Sequence, residues 1–164
     1  MVISYHGGQT FKISQGDVSL VINPTAKVSA DVTLFIGKRA ETSEKSGFVI
    51  DGPGEYEIKE IFIKGFRDRT FIITFEGIKL CFLGTESSED EVDDVDILFV
   101  PVNAYKSAVA LEPAIMIPFN YDKSSLTQFL KEAGETSVEP IDKLVVKKKD
   151  LEGKEGEIVI LNEE

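Results

Sequence analysis

The sequence predicts an α/β (α+β) fold: one domain over residues 1–164, built as a β-rich sandwich with few, short helices. The first half is a series of short β-type runs broken by glycine-containing turns. The second half changes to continuous apolar runs that alternate with helical patterns, as expected of strands buried on both faces. A length of 164 residues and a hydrophobic content of 42% suit a single core.

The elements follow in order. Val2–Tyr5, residues 10–13 and Val18–Ile22 are separated by His6-Gly7-Gly8-Gln9 and Ser14-Gln15-Gly16-Asp17, and read as an antiparallel meander. Residues 32–36 form the next strand, followed by a polar stretch. Phe48–Ile50 leads into Asp51-Gly52-Pro53-Gly54, a tight turn. Residues 55–64 alternate, but the parity switches near Glu60, which reads as a bulge. Phe71–Phe75 and residues 78–83 form a hairpin about Glu76-Gly77. Residues 97–100 and 114–117 are buried strands, the second ending at Pro118, with a short helix over 103–111 between them. Ser124 or Ser125 caps a helix that sets Leu126, Phe129, Leu130 and Ala133 on one face, and Gly134 ends it. Residues 144–146 and 158–161 close the chain as strands.

Composition narrows the function. No apolar run approaches the roughly 20 residues of a membrane span, and no secretory signal is visible at the start. The single cysteine, Cys81, excludes an internal disulfide and lies in an apolar strand, as a buried core thiol does. These features predict a cytoplasmic protein with no membrane partner. A net charge of −11 argues against nucleic acid, whose binding is driven by Lys and Arg. Lys147-Lys148-Lys149 reads as a solvated strand end or turn, with an anion patch as the alternative. The acidic run over 86–94 has no cation within it and reads as a solvated loop; the alternative, a cation loop, lacks the glycine and spacing of an EF-hand.

Several segments then occur in a telling order: Ile3-Ser4-Tyr5-His6-Gly7-Gly8-Gln9-Thr10-Phe11-Lys12-Ile13, Ile22-Asn23-Pro24, Ala30-Asp31-Val32-Thr33-Leu34, Gly52-Pro53-Gly54-Glu55-Tyr56 and Leu80-Cys81-Phe82-Leu83-Gly84. Asp94-Val95-Asp96-Ile97-Leu98-Phe99-Val100-Pro101 and Leu111-Glu112-Pro113-Ala114-Ile115-Met116-Ile117-Pro118 complete the set. The ordered set resembles the metallo-β-lactamase superfamily, in particular its small bacterial members that look like Zn-dependent hydrolases. The resemblance covers nearly the whole chain. It implies an αββα sandwich of two mixed β-sheets, with zinc held by loops at one edge.

The ligand positions implied by that resemblance are all replaced. The His-x-His-x-Asp-His motif expected after residues 32–36 reads Gly37-Lys38-Arg39-Ala40-Glu41-Thr42, so that Gly37, Arg39 and Thr42 stand for histidines and Glu41 for aspartate. Glu55 stands where a histidine follows the Gly-Pro-Gly turn, Thr85 where a bridging aspartate follows Leu-Gly, and Asn120 where a histidine precedes Tyr121. The chain has one histidine, His6, and an Arg repels a divalent cation. The expectation is a pseudoenzyme: metal-free, with no cofactor and no catalytic residue, retained for binding, scaffolding or assembly around a protein or small-molecule partner. Two alternatives stand beside it. One is a hydrolase of phosphoesters or lactones with a rebuilt oxygen-ligand site, using Glu41, Glu55 or His6 and a hard cation such as Mg²⁺. The other is a self-assembling homo-oligomer that pairs through the first hairpin. His6 reads as a turn histidine, a ligand or base, or a pH-sensitive hydrogen-bonding group. His6, Arg39 and Glu55 are the candidate ligand-binding residues, and Arg39 is the one suited to an anionic ligand. No nucleophile elbow, P-loop or dinucleotide fingerprint is present.

Overall fold

A computed structural model describes residues 1–25, 28–36, 47–67, 69–84 and 92–164. The meander forms as β1 (Val2–Tyr5), β2 (Phe11–Gln15) and β3 (Val18–Ile22). Strands β4 (Val32–Leu34) and β5 (Phe48–Ile50) add in parallel, and β12 (Lys143–Val145) adds antiparallel to β1. They make a six-stranded sheet in the order β12-β1-β2-β3-β4-β5. One register row runs across it from Tyr5 through Phe11, Ile22 and Leu34 to Ile50.

The second sheet begins with β6 (Gly54–Ile58), β7 (Ile61–Gly65), β8 (Phe71–Phe75) and β9 (Ile78–Phe82), joined as antiparallel hairpins. Strands β10 (Ile97–Pro101), β11 (Ile115–Phe119) and β13 (Glu157–Ile158) extend it in parallel. Seven strands result, in the order β13-β11-β10-β9-β8-β7-β6.

The sheets meet through aromatic side chains. Phe11 of the first sheet lies 4.8 Å from Phe99 and 6.0 Å from Phe82 and Phe119 of the second, centroid to centroid. Phe82 and Phe99 stack at 3.9 Å. A second apolar cluster, including Cys81, Leu98, Val100, Met116, Ala108, Phe129 and Leu130, lies on the outer face of the second sheet. There α1 (Tyr105–Ala110) and α2 (Lys123–Glu132) cover it. Strands β9 to β11 are therefore buried on both faces, which is why their sequences lack alternation. Among the described residues no helix is long and apolar enough to cross a membrane.

Several local expectations are corrected. Residues 55–64 hold a tight hairpin instead of a bulge: Lys59 (φ 49) and Glu60 (φ 66) are both left-handed, which matches the twist of the flanking strands. Strand β11 continues through Pro118 to Phe119, paired with β10 on one side, while β13 reaches only Ile115 and Met116. The cap of α2 is Asp122, with Ser125 as its reciprocal partner at 2.7 Å, because an Asp carboxylate takes the orphan N–H of the third helical residue. Of the acidic run, residues 86–91 lie outside the described residues; at its end Lys79 Nζ, from elsewhere in the chain, donates to the Asp93 carbonyl at 3.0 Å. The basic cluster forms a solvated 3₁₀ turn as expected, with Lys148 paired to Asp96 at 2.6 Å. The first hairpin offers no free edge, since β12 and β3 flank it; assembly by pairing there loses its physical basis.

Candidate functional site

Strands β3, β4 and β5 run parallel, as do β9, β10 and β11. The contact of Phe11 with Phe82, Phe99 and Phe119 brings the ends of both groups to one edge of the sandwich. The residues that follow these strands gather there.

Asn23, just past β3, ties this edge together from a left-handed conformation (φ 44) that Asn tolerates. Its Oδ1 accepts from the Ile36 N–H at 2.9 Å, its Nδ2 donates to Gln9 Oε1 at 3.2 Å, and its carbonyl accepts from the Thr10 hydroxyl at 2.8 Å. Arg69, in the β7–β8 turn, donates to the Ile36 carbonyl at 3.3 Å. Buried Thr70 accepts from the Gly84 N–H at 3.0 Å. Sequence reasoning missed Arg69 and Thr70 as edge residues. Asn23 carried a signal, an Asn before Pro at a strand end.

His6 follows β1. Its backbone N–H donates to the Thr10 carbonyl at 2.9 Å, and its Nε2 lies 3.2 Å from Ser4 Oγ and 3.8 Å from a Glu164 carboxylate oxygen. Glu163 comes to the same place. It pairs with Tyr5 through a bridge, and its side chain packs on Gly7, where a Cβ would collide with the carboxylate. Burial raises the Tyr5 phenol above its ordinary range, with Tyr121 and Glu163 adding to the effect. Burial followed by Glu163 does the same for Tyr121. Sequence reasoning missed both glutamates, because nothing local marks a terminal segment that reaches back to β1.

The predicted positions divide. Asn120 stands at the edge, exposed and left-handed (φ 58), just past β11. Glu55 lies in register opposite Lys64 and lines a shallow groove with Phe62, Ile72 and Lys79. Its neighbours Tyr56 and Ile58 pack on the inner core, so the alternation of β6 turns Glu55 to the outer face. Tyr56 folds its hydroxyl back onto the carbonyls of Gly52 and Pro53, at 3.1 and 3.2 Å, which pins that turn. Gly37, Arg39, Glu41, Thr42 and Thr85 lie outside the described residues.

Among the described residues the donors do not fit a histidine-rich zinc pair. Such a centre needs several imidazoles, thiolates or carboxylates on one point. The one imidazole faces Ser4 and Glu164, and the one thiol, Cys81, is fully buried in the core under the helices. Among the described residues no three His, Cys, Asp or Glu side chains are grouped to hold an ion. The remaining positions contain no histidine and no cysteine.

No family model matches the chain, and no curated protein sequence matches it. Solved structures do. A Thermotoga maritima protein described as a Zn-dependent hydrolase of the metallo-β-lactamase superfamily is 28% identical, with 98% of each chain covered and a TM-score of 0.80. A Parabacteroides distasonis protein described as a metal-dependent hydrolase is 15% identical, over 99% of this chain and 93% of that one, at a TM-score of 0.62. The metallo-β-lactamase fold protein YhfI of Bacillus subtilis is 10% identical, over 98% and 96%, at 0.62. The last two share the fold alone. The two mixed sheets, their shared edge and these likenesses agree: the chain has the metallo-β-lactamase fold, and the Thermotoga maritima neighbour is described as a hydrolase of that superfamily.

Proposed function

We propose that this chain is a non-catalytic, metal-free member of the metallo-β-lactamase fold, retained for binding, scaffolding or assembly. The observation that carries the reading is the donor set. In this fold the metal lowers the pKa of bound water and polarises the scissile bond. A chain with one imidazole and one core thiol has no means of building the usual nitrogen-rich centre. A reducing, cytoplasmic setting belongs to this reading and is supported by a sequence whose one cysteine forms no internal disulfide.

The test is metal analysis of protein purified without chelator, together with a screen of phosphoesters and lactones with and without Mg²⁺ and Mn²⁺. Substoichiometric metal and no turnover are expected. Stoichiometric zinc, manganese or iron, or turnover that Glu55→Gln or His6→Gln abolishes, would overturn the proposal in favour of an enzyme.

A further inference from the structure

We infer, building on the assembly role proposed above, that β12 is a docking edge for a second copy of this chain, paired antiparallel about a two-fold axis at Leu144. Strand β12 ends the six-stranded sheet. Val146 donates its N–H to the Met1 carbonyl at 3.0 Å, and Leu144 stands in register with Ile3. Alternation along the ladder therefore turns the N–H and C=O groups of Leu144 and Val146 toward β1, and those of Lys143 and Val145 away from it. These outward groups have no partner among the described residues. The open edge is short, because residues 160–162 pair with Ile141 just before it.

The side chains of β12 suit this contact. Val145 is 64% exposed on the outer face beside Val2, while Leu144 faces inward and is only partly covered by the core. Pairing about Leu144 sets Lys143 opposite Val145 of the second copy, and the converse. Each lysine stem then covers a valine that otherwise faces water, and its ammonium stays solvated. The two Leu144 residues form a non-hydrogen-bonded pair, with Cα atoms about 4.5 Å apart, and complete each other's burial. A shift of two residues either way would set Lys143 opposite Lys143 or Lys147 of the other copy. Like charges directly opposite destabilise a sheet, so charge selects the register centred on Leu144.

The other sheet edges lack this self-complementarity. On β6 the two-residue turn at Lys59-Glu60 makes Ile58 and Ile61 the closing hydrogen-bonded pair, so Glu55 and Glu57 carry the outward backbone groups. A second copy paired about Tyr56 would set Glu55 opposite Glu57, which defends that edge. On β5, Phe48 donates to the Asp31 carbonyl and Ile50 accepts from the Phe35 N–H, which leaves Val49 alone facing out. Strand β13 is two residues long. Among the described residues, β12 is thus the edge that accepts its own copy without a charge penalty. Its shortness makes the dimer weak and concentration-dependent.

The test is sedimentation equilibrium of the full chain across a wide range of concentration. A monomer–dimer equilibrium is expected, and added salt should tighten it by screening the repulsion between two copies of net charge −11. Val145→Pro removes an outward N–H and no bond to β1, so it should abolish the dimer and leave the thermal midpoint of the dilute monomer near that of wild type. Val145→Lys should weaken the dimer about tenfold or more, since the two-fold axis counts each lysine pair twice. Adding Lys143→Glu to Val145→Lys should restore it, because opposite charges then face each other in this register alone. A chain that stays monomeric at every concentration, a dimer indifferent to Val145→Pro, or a double variant no better than Val145→Lys would overturn the inference. Metal content and turnover are separate readouts, so a monomer without either would sink this edge and leave the non-catalytic reading standing.

Discussion

Glu164 donates its backbone N–H to the carbonyl of Tyr5 at 2.9 Å, next to the parallel bridge between Tyr5 and Glu163. Residues 157–164 pair first with β11, then with Ile141, then with Tyr5, and so pass from the second sheet to the first. Leu161, midway, is buried in the core between the sheets. The crossing delivers the Glu163 carboxylate to two phenols, buried Tyr5 and partly exposed Tyr121.

An alkaline prediction follows from that juxtaposition. Both phenols are raised, first by burial and then by neighbouring groups, Glu163 among them. They therefore contribute stability that is complete below the unfolded tyrosine value of about 10 and is lost as pH rises through their folded values. Glu163→Gln should move the onset of tyrosinate absorbance to lower pH. An unchanged titration curve would mean that neither phenol feels the carboxylate.

Phe11 is the aromatic hinge between the sheets, touching Phe82, Phe99 and Phe119 while itself 1% exposed. Phe11→Ala should cost about 3–5 kcal/mol in urea unfolding, because the cavity it leaves is walled by strands that cannot collapse. Phe11→Leu should cost clearly less. Equal costs would show that ring packing at this position contributes nothing beyond apolar volume.

The sandwich was legible because its patterns are local. Alternation in Phe71–Phe75 and unbroken apolar runs in β10 and β11 report directly on faces buried once or twice. Parity failed where a hairpin turn and a bulge leave the same trace, at Lys59-Glu60, and capping failed where Asp122 and Ser125 act as a pair. The loss of imidazoles was legible from composition alone. The occupants of the edge were not, since Glu163 and Glu164 reach Tyr5 and His6 across almost the entire chain. Arg69 reaches Ile36 from another hairpin in the same non-local way.

Asp31 joins the sheets at a polar contact. Its carboxylate accepts from the Ser19 N–H at 2.8 Å and from Lys59 Nζ, in the β6–β7 turn, at 2.6 Å. The hydrogen bond from Lys59 and then that from Ser19 hold its carboxyl below the usual range. A depressed folded value means that its stabilisation is complete above the unfolded aspartate pKa of about 3.9 and is lost as pH falls through the folded value. Asp31→Asn should cost about 1 kcal/mol at neutral pH, since Lys59 is more than half exposed and its attraction is screened. The same variant should also unfold less steeply with acid. If wild type and variant lose stability in parallel below pH 4, the contact is electrostatically silent.

Chelation gives the last prediction. A site that binds only the folded chain adds stability by mass action, about 2.7 kcal/mol at a hundredfold excess over Kd. The donor set here supplies one imidazole, engaged by Ser4 and Glu164, and a thiol sealed in the core. Excess EDTA should therefore leave the thermal midpoint unchanged, and added zinc should not raise it. His6→Gln should shift unfolding by less than about 1 kcal/mol, the loss of one partly exposed hydrogen bond, with the same indifference to EDTA. A midpoint that falls on chelation in the wild type but not in His6→Gln would identify His6 as a metal ligand, and the fold would then be working with a centre its sequence gives no other nitrogen to build.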